Sequence, residues 1–294
     1  MPTRRLPTYL LLVIVVVIWA SYPTLTKFAL RDMPPFTIAA LRCSLASGLL
    51  IWLLVRRPRG GHGAVTRADL RDLLLLGVSG ITVSTGFYYL AIALTSASNA
   101  VILTATTPVL VALGGHLVLG DRLQRLQWVG VGCSAAGVLL TVTRGEVAAL
   151  LGELRLGDFI VLVGQVGWAG YTLYGKPVLA RLSPGLATTG AYVAGTVFLI
   201  PLALLTAPAF PPARYTAVVP WAVILFQGTV GAIIHVWYYQ AVQAVGPSRS
   251  AIFMNLQPLV GVLLATLLLG EEVGIAQIIG GLAILTGVYL TTQR

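Results

Sequence analysis

Few polar side chains interrupt the long apolar runs of this chain, and their types limit what it can bind. The stretch IWASYPTLTK at residues 18–27 returns as GWAGYTLYGK at 167–176, so Trp19, Tyr22 and Lys27 are matched by Trp168, Tyr171 and Lys176. A Trp and a Tyr three residues apart share one face of a helix. Each Trp stands about ten residues into its apolar run, deeper than an interfacial anchor, and the pair is therefore expected to line a cavity. Gln165 precedes Trp168 by three residues on that face. Tyr88 and Tyr89 are matched by Tyr238 and Tyr239, and Thr106-Thr107-Pro108 by a segment containing Asn255, Gln257 and Pro258. A proline frees a backbone carbonyl one turn earlier, which polar neighbours satisfy or present to a ligand. Pro23, Pro108 and Pro258 are thus expected kinks. The set describes an aromatic cavity with amide and hydroxyl groups, suited to a neutral or zwitterionic, partly apolar solute. Packing between helices is the competing role and would claim about half of these threonines and tyrosines.

Ionisable groups are scarcer, since each costs roughly 2.5–3.5 kcal/mol at the bilayer centre. Arg42 lies inside the second apolar run. It can meet a solute carboxylate bidentately or bond backbone carbonyls as a structural hub; the lack of a matching Arg in the seventh run favours the hub. His235, three residues before Tyr238, is the one plausible deep proton-titrating group, and a neutral, hydrogen-bonded ring is expected. His116, near the end of its run, is expected at the interface. All nine carboxylates lie in loops or at the ends of runs, so carboxylate-mediated coupling at the midplane is not expected. With Arg42 the single deep cation and Lys27 and Lys176 at opposite ends, phosphorylated solutes are disfavoured too. Neither a metal-ligand spacing such as HExxH nor a pair of intramembrane carboxylates occurs, which leaves an intramembrane enzyme as a remote alternative and predicts no metal and no cofactor. Cys43 and Cys133 fall in apolar runs and read as small packing residues.

The elements that must hold these groups follow from composition. Of 294 residues, 57% are hydrophobic and 10% charged, far below the roughly 25% charged residues of a soluble domain. This is a polytopic membrane protein. Its net charge of +10 sits in short loops, where it reports topology and not nucleic-acid binding. Arg4 and Arg5 followed by an apolar stretch resemble a signal peptide, but the pattern recurs at 159–176, so the first run is expected to be a retained span. Ten spans are expected, near 9–29, 36–55, 71–93, 98–119, 124–142, 157–179, 185–206, 218–241, 248–269 and 273–292.

A shift of 150 lays residues 88–144 on 238–294 without a gap: Leu119-Gly120-Asp121 meets Leu269-Gly270-Glu271, and Gln127, Gly130 and Gly137 meet Gln277, Gly280 and Gly287. The halves are 1–148 and 149–294. Five spans per half is odd, so the second half enters the membrane inverted. With both termini in the cytoplasm, 13 of the 19 Lys and Arg residues fall on the inner side and five outside, the expected bias. The expected fold is an all-α membrane protein of ten transmembrane helices, as two inverted five-helix repeats around a central cavity. Such repeats are a hallmark of secondary transporters; a channel would present a ring of like residues. The glycine-rich faces of spans five and ten suit close packing on each other or on a second subunit.

The chain resembles the EamA-like family of the drug/metabolite transporter superfamily. The resemblance rests on WAxY(x4)K opening each half, PPFTIAALRCSLASGLL, TSASNAVILTATTPVLVALGGHLVLGD and GPSRSAIFMNLQPLVGVLLATLLLGEE, and extends over nearly the whole chain. It implies ten helices around a central cavity in one chain, so that a monomer suffices, and transport of small metabolites, with aromatic amino-acid exporters the nearest guess. The expectation is an alternating-access carrier of a bacterial-type inner membrane, exporting amino acids or similar metabolites. A passive facilitator and an exporter of amphipathic cations are the alternatives.

Overall fold

A computed structural model describes residues 5–56, 66–119, 124–145 and 155–292. Among these residues all regular structure is helical. Eight helical stretches are long and apolar enough to cross a membrane: Pro7–Ala29, Pro35–Arg56, Arg67–Leu94, Ala97–Leu117, Leu156–Leu179, Pro184–Ala209, Val218–Val245 and Arg249–Leu269. Large apolar side chains stand exposed along them, Val55 and Val218 at 78% and Leu205 at 77%, as a lipid-facing surface requires. Two further helices, α8 (Arg125–Thr143) and α14 (Ile275–Thr292), are apolar along most of their length.

Prolines and hydroxyls divide several of the long stretches. The first is α1 (Arg5–Ala20) and α2 (Tyr22–Ala29), broken where Pro23 opens α2 and the Ser21 hydroxyl donates to the Ile18 carbonyl at 2.7 Å. The fourth stretch breaks between α6 (Ala97–Thr104) and α7 (Thr107–Leu119). Pro108 cannot donate to the Thr104 carbonyl, and the Thr107 hydroxyl donates to it instead at 2.8 Å. Its counterpart breaks between α12 (Pro247–Ile252) and α13 (Leu256–Leu269) through a 3₁₀ turn, Phe253–Asn255. By contrast α3 (Pro35–Arg56), α9 (Leu156–Leu179), α10 (Pro184–Thr206) and α11 (Val218–Val245) run on.

The third stretch has an unusual centre. Between α4 (Arg67–Leu76) and α5 (Phe87–Leu94) the chain winds as a π-helix, Gly77–Gly86. Hydroxyls follow the wider winding: Thr85 donates to the Gly80 carbonyl, five residues back, at 3.1 Å. π-Segments are rare and concentrate at functional sites.

Glycines set the closest helix pair. On α8, a Cβ at Gly130 would sit 2.6 Å from the Gly287 carbonyl oxygen of α14, and one at Gly280 would sit 2.8 Å from the Gly137 carbonyl oxygen. The glycine faces of α8 and α14 thus meet each other. Each helix opens with the same device, a glutamine three residues in accepting from the backbone: Gln124 N–H to Gln127 Oε1 at 2.8 Å, and Gly274 N–H to Gln277 Oε1 at 2.7 Å.

Candidate functional site

The helix breaks and the π-segment surround one central cavity of about 90 Å³. Of the side chains picked out from sequence, Trp19, Tyr22, Arg42, Tyr88, Tyr89, Gln165, Trp168, His235 and Gln257 line it. Trp19 and Trp168, far apart in sequence, meet edge to face with ring centres 5.2 Å apart. His235 lies edge-on to both, at 5.0 and 5.6 Å. Such contacts hold the rings in fixed orientations, each worth about 0.5–1.5 kcal/mol beyond burial.

Arg42 carries the only formal charge on the wall. It is 2% exposed, and its Nη1 reaches the Gln227 carbonyl at a long 3.5 Å while its Nε has no hydrogen-bond partner among the described residues. The guanidinium lies 5.4 Å from the centre of the Tyr89 ring. None of the ion pairs among the described residues includes it. The Tyr22 hydroxyl is likewise buried without a hydrogen-bond partner among the described residues. A guanidinium with five donors and so few acceptors is poised for an anionic oxygen.

Gln227 organises the wall beside it. The Tyr89 hydroxyl donates to its Oε1, and its Nε2 donates to the Thr26 hydroxyl at 3.2 Å and the Tyr22 carbonyl at 3.4 Å. His235 places Nδ1 2.8 Å from the Gly231 carbonyl and 3.0 Å from the Tyr192 hydroxyl. A carbonyl can only accept, so Nδ1 carries hydrogen and the neutral ring keeps Nε2 as an acceptor; this tautomer is assigned from the network.

Five of the expected residues are absent from the wall. Thr107 sits behind it, its hydroxyl 2.7 Å from the Gln165 side chain. Tyr171, Tyr238 and Tyr239 are wholly buried. Tyr171 stacks on Tyr239 at 4.5 Å, and the Tyr238 ring centre lies 5.3 Å from those of both Trp19 and Trp168. They form the aromatic packing that supports the tryptophans. Asn255 is held in the 3₁₀ turn before α13, its Oδ1 buried without a partner. Conversely, Ser84, Thr85, Thr104 and Met254 line the cavity although sequence reasoning passed over them. Thr104 was within reach of it, one helical turn before Thr107 and bonded to Gln257 at 3.1 Å. Gln227, a lone amide in an apolar run, was the clearest unused signal.

The bundle differs at its two ends. At the Lys176 end, Arg181 joins Asp69 at 2.6 Å and also Asp72, which accepts from the Tyr174 hydroxyl at 2.6 Å. Arg181 is half exposed, so solvent screens much of this clamp. At the Lys27 end lies a larger cavity of about 320 Å³. Asp158, in the first turn of α9, is completely buried, accepting from Thr95 and Asn99.

An apolar helical bundle around a small cavity of aromatic, amide and hydroxyl side chains suits a membrane transporter. The chain belongs to the EamA-like transporter family, whose model matches residues 6–143 and again 155–293. It is 34% identical over 290 residues, 98% of either chain, to a protein of Archaeoglobus fulgidus named an uncharacterized transporter. It is 25% identical to the uncharacterized transporter YyaM of Bacillus subtilis, over 97% of this chain and 93% of that one. It is also 25% identical over 273 residues to YedA of Escherichia coli, named an uncharacterized inner membrane transporter, with 91% and 85% of the two chains covered. One solved crystal structure matches its fold with a TM-score of 0.65 over 98% of both chains, at 20% identity.

Proposed function

We propose that the protein is an alternating-access carrier that exports an amino acid with an aromatic or large neutral side chain, or a similar zwitterion, across a bacterial-type inner membrane. In this reading ten helices cross the bilayer, the eight long stretches together with α8 and α14, as inverted repeats 1–148 and 149–294 with both termini cytoplasmic. The α8–α14 contact supports the inversion. The 150-residue shift pairs Gly130 with Gly280 and Gly137 with Gly287, so exchanging the halves carries the contact of Gly130 with Gly287 onto that of Gly280 with Gly137. The family match to each half supports it as well. The described residues of one chain supply the lining of the central cavity, which supports a functional monomer.

Arg42 carries the substrate reading. A buried guanidinium without a carboxylate among the described residues, beside two tryptophan rings, gives a zwitterion both a charge partner and an apolar wall. The same charge disfavours an amphipathic cation.

Counterflow in proteoliposomes, loaded with each amino acid in turn and with a few cationic drugs, tests the reading. Labelled aromatic amino acid should rise transiently above its equilibrium level, Arg42→Gln should abolish this, and Trp168→Ala should slow it about tenfold with insertion intact. Equilibration without overshoot would make the protein a passive facilitator. Exchange of drugs alone would discard the substrate class, and normal exchange by Trp168→Ala would remove that residue from the site.

A further inference from the structure

A second cavity is larger than the central one. At the Lys27 end a space of about 320 Å³ is enclosed by the end of α2, the turn into α3, the last turn of α5 and the connection from α10 to α11. Three cations face it, Lys27, Arg31 and Arg214, against a single carboxylate, Asp32. That carboxylate already serves Arg214, which lies 3.7 Å from it through the side chain and donates its backbone N–H to the Asp32 carbonyl at 2.7 Å. Arg31 rests on the Phe28 ring at 5.0 Å and pairs with no acid among the described residues. Lys27 is half-buried and forms no ion pair among the described residues. The acid that attracts it, Glu271, spends both oxygens on the N-terminus of α6, at 2.8 Å from Ala97 N and 2.9 Å from Ser98 N.

The same two helices line both cavities. On α2, Tyr22 faces the central cavity and Lys27 the outer one; on α5, Tyr89 and Ala93 do the same. Four or five helical residues span about 6–8 Å, and the hydrogen-bonded layer of Tyr22, Thr26, Tyr89 and Gln227 lies along that interval. At the opposite end Arg181 is neutralised by two aspartates. On the Lys27 side, positive charge not matched by a carboxylate continues from Arg42 to Lys27 and Arg31.

We propose that this vestibule is a second binding site, for the carboxylate of an organic anion or zwitterion, occupied between the central cavity and the water beyond Lys27. It rests on the reading that the solute bears a carboxylate, and it adds a station that the central site does not supply. The cavity is large enough for a small solute, and a mouth of one sign of charge raises the local concentration of its counter-ion. Anionic lipid headgroups share the chemistry and are the rival occupant.

The test is equilibrium binding of benzoate, by calorimetry, to purified protein in phosphatidylcholine nanodiscs, with neutral benzamide as control. Benzoate should bind and benzamide should not, with an affinity that falls as salt is added. Lys27→Gln should weaken benzoate about fivefold, Lys27→Arg should preserve it, and Arg42→Gln should leave this binding in place. Wild-type affinity in Lys27→Gln, or loss of all binding in Arg42→Gln, overturns the proposal. So does benzoate that anionic phosphatidylglycerol displaces completely, which would assign the site to lipid. Failure of every amino acid in counterflow would sink the substrate reading while benzoate still reported on the vestibule.

Discussion

Residues 67–94 and 218–245 are stretches of 28 residues that carry the same Tyr-Tyr pair at positions related by the 150-residue shift. They meet the central cavity in opposite ways. In α11, a regular helix, Gln227 organises the wall and His235 reaches the cavity through its long side chain. The matched decad, GVSGITVSTG, has no long polar side chain; it winds as the π-helix and brings the small hydroxyls of Ser84 and Thr85 to the cavity. The tyrosine pairs divide accordingly. Tyr88 and Tyr89 line the cavity, while Tyr238 and Tyr239 pack beneath Trp168 and Tyr171. One stretch supplies polarity with long side chains and the other with small hydroxyls on a wider winding, so the two stretches are not interchangeable.

The sharpest way to break this comparison is to fill the π-segment. A Cβ at Gly80 would lie 2.6 Å from Cγ of Tyr171, inside the ring's van der Waals surface. Gly80→Ala should therefore destabilise the protein by about 1–3 kcal/mol and lower its thermal midpoint in detergent. Tyr171→Leu in the same chain should recover part of the loss, because the ring is what the new methyl strikes. The matched residue of α11 is Val230, already a branched side chain and half-buried. If Gly80→Ala melts like wild type, the π-segment relaxes freely and does not shape the wall.

Much of this arrangement is legible in sequence, and the rest fails for physical reasons. Hydropathy locates the helices because lipid demands long apolar runs, and the paired Trp-Ala-x-Tyr stretches point to the cavity because both tryptophans are deep. The π-winding is not legible: Gly, Val, Ser and Thr are compatible with an α-helix, and the wider turn appears only where Gly77 and Gly80 come against Gly195 and Tyr171. Which tyrosines face the cavity is hidden for the same reason, since the two pairs are identical as words and differ in what packs on them. For Arg42, the missing twin in the seventh run suggested a structural hub. Its place on the cavity wall, with a single long bond to a carbonyl, depends on the distant Gln227 of α11.

A comparison of hydroxyls sharpens the division. Tyr89→Phe strips the Gln227 Oε1 of its donor in a buried site, costing about 1–3 kcal/mol, and loosens the layer that also holds Thr26 and Tyr22. Its KM in counterflow should rise about fivefold. Tyr239→Phe removes a hydrogen bond of 3.1 Å to the Tyr171 carbonyl within α9, worth about 0.5–1.5 kcal/mol, and should lower thermal stability with KM unchanged. Equal effects on KM would dissolve the distinction between a pair that lines the cavity and a pair that supports it.

The smallest effect belongs to the π-segment's own hydroxyls. Thr85 lines the cavity and returns its hydroxyl to the Gly80 carbonyl, whereas Thr82 faces away, within 3.2 Å of the Gly195 carbonyl on α10. Replacing Thr85 by Val keeps the shape and removes one neutral hydrogen-bonding group, so KM should rise only about two- to threefold. Thr82→Val should leave KM alone and cost stability, since it unpairs a helix contact remote from solute. If the two variants exchange these signatures, the winding presents the opposite face to the cavity. The wall on that side would then be built by α5 alone, and the rare geometry would serve only to seat α4 against α10.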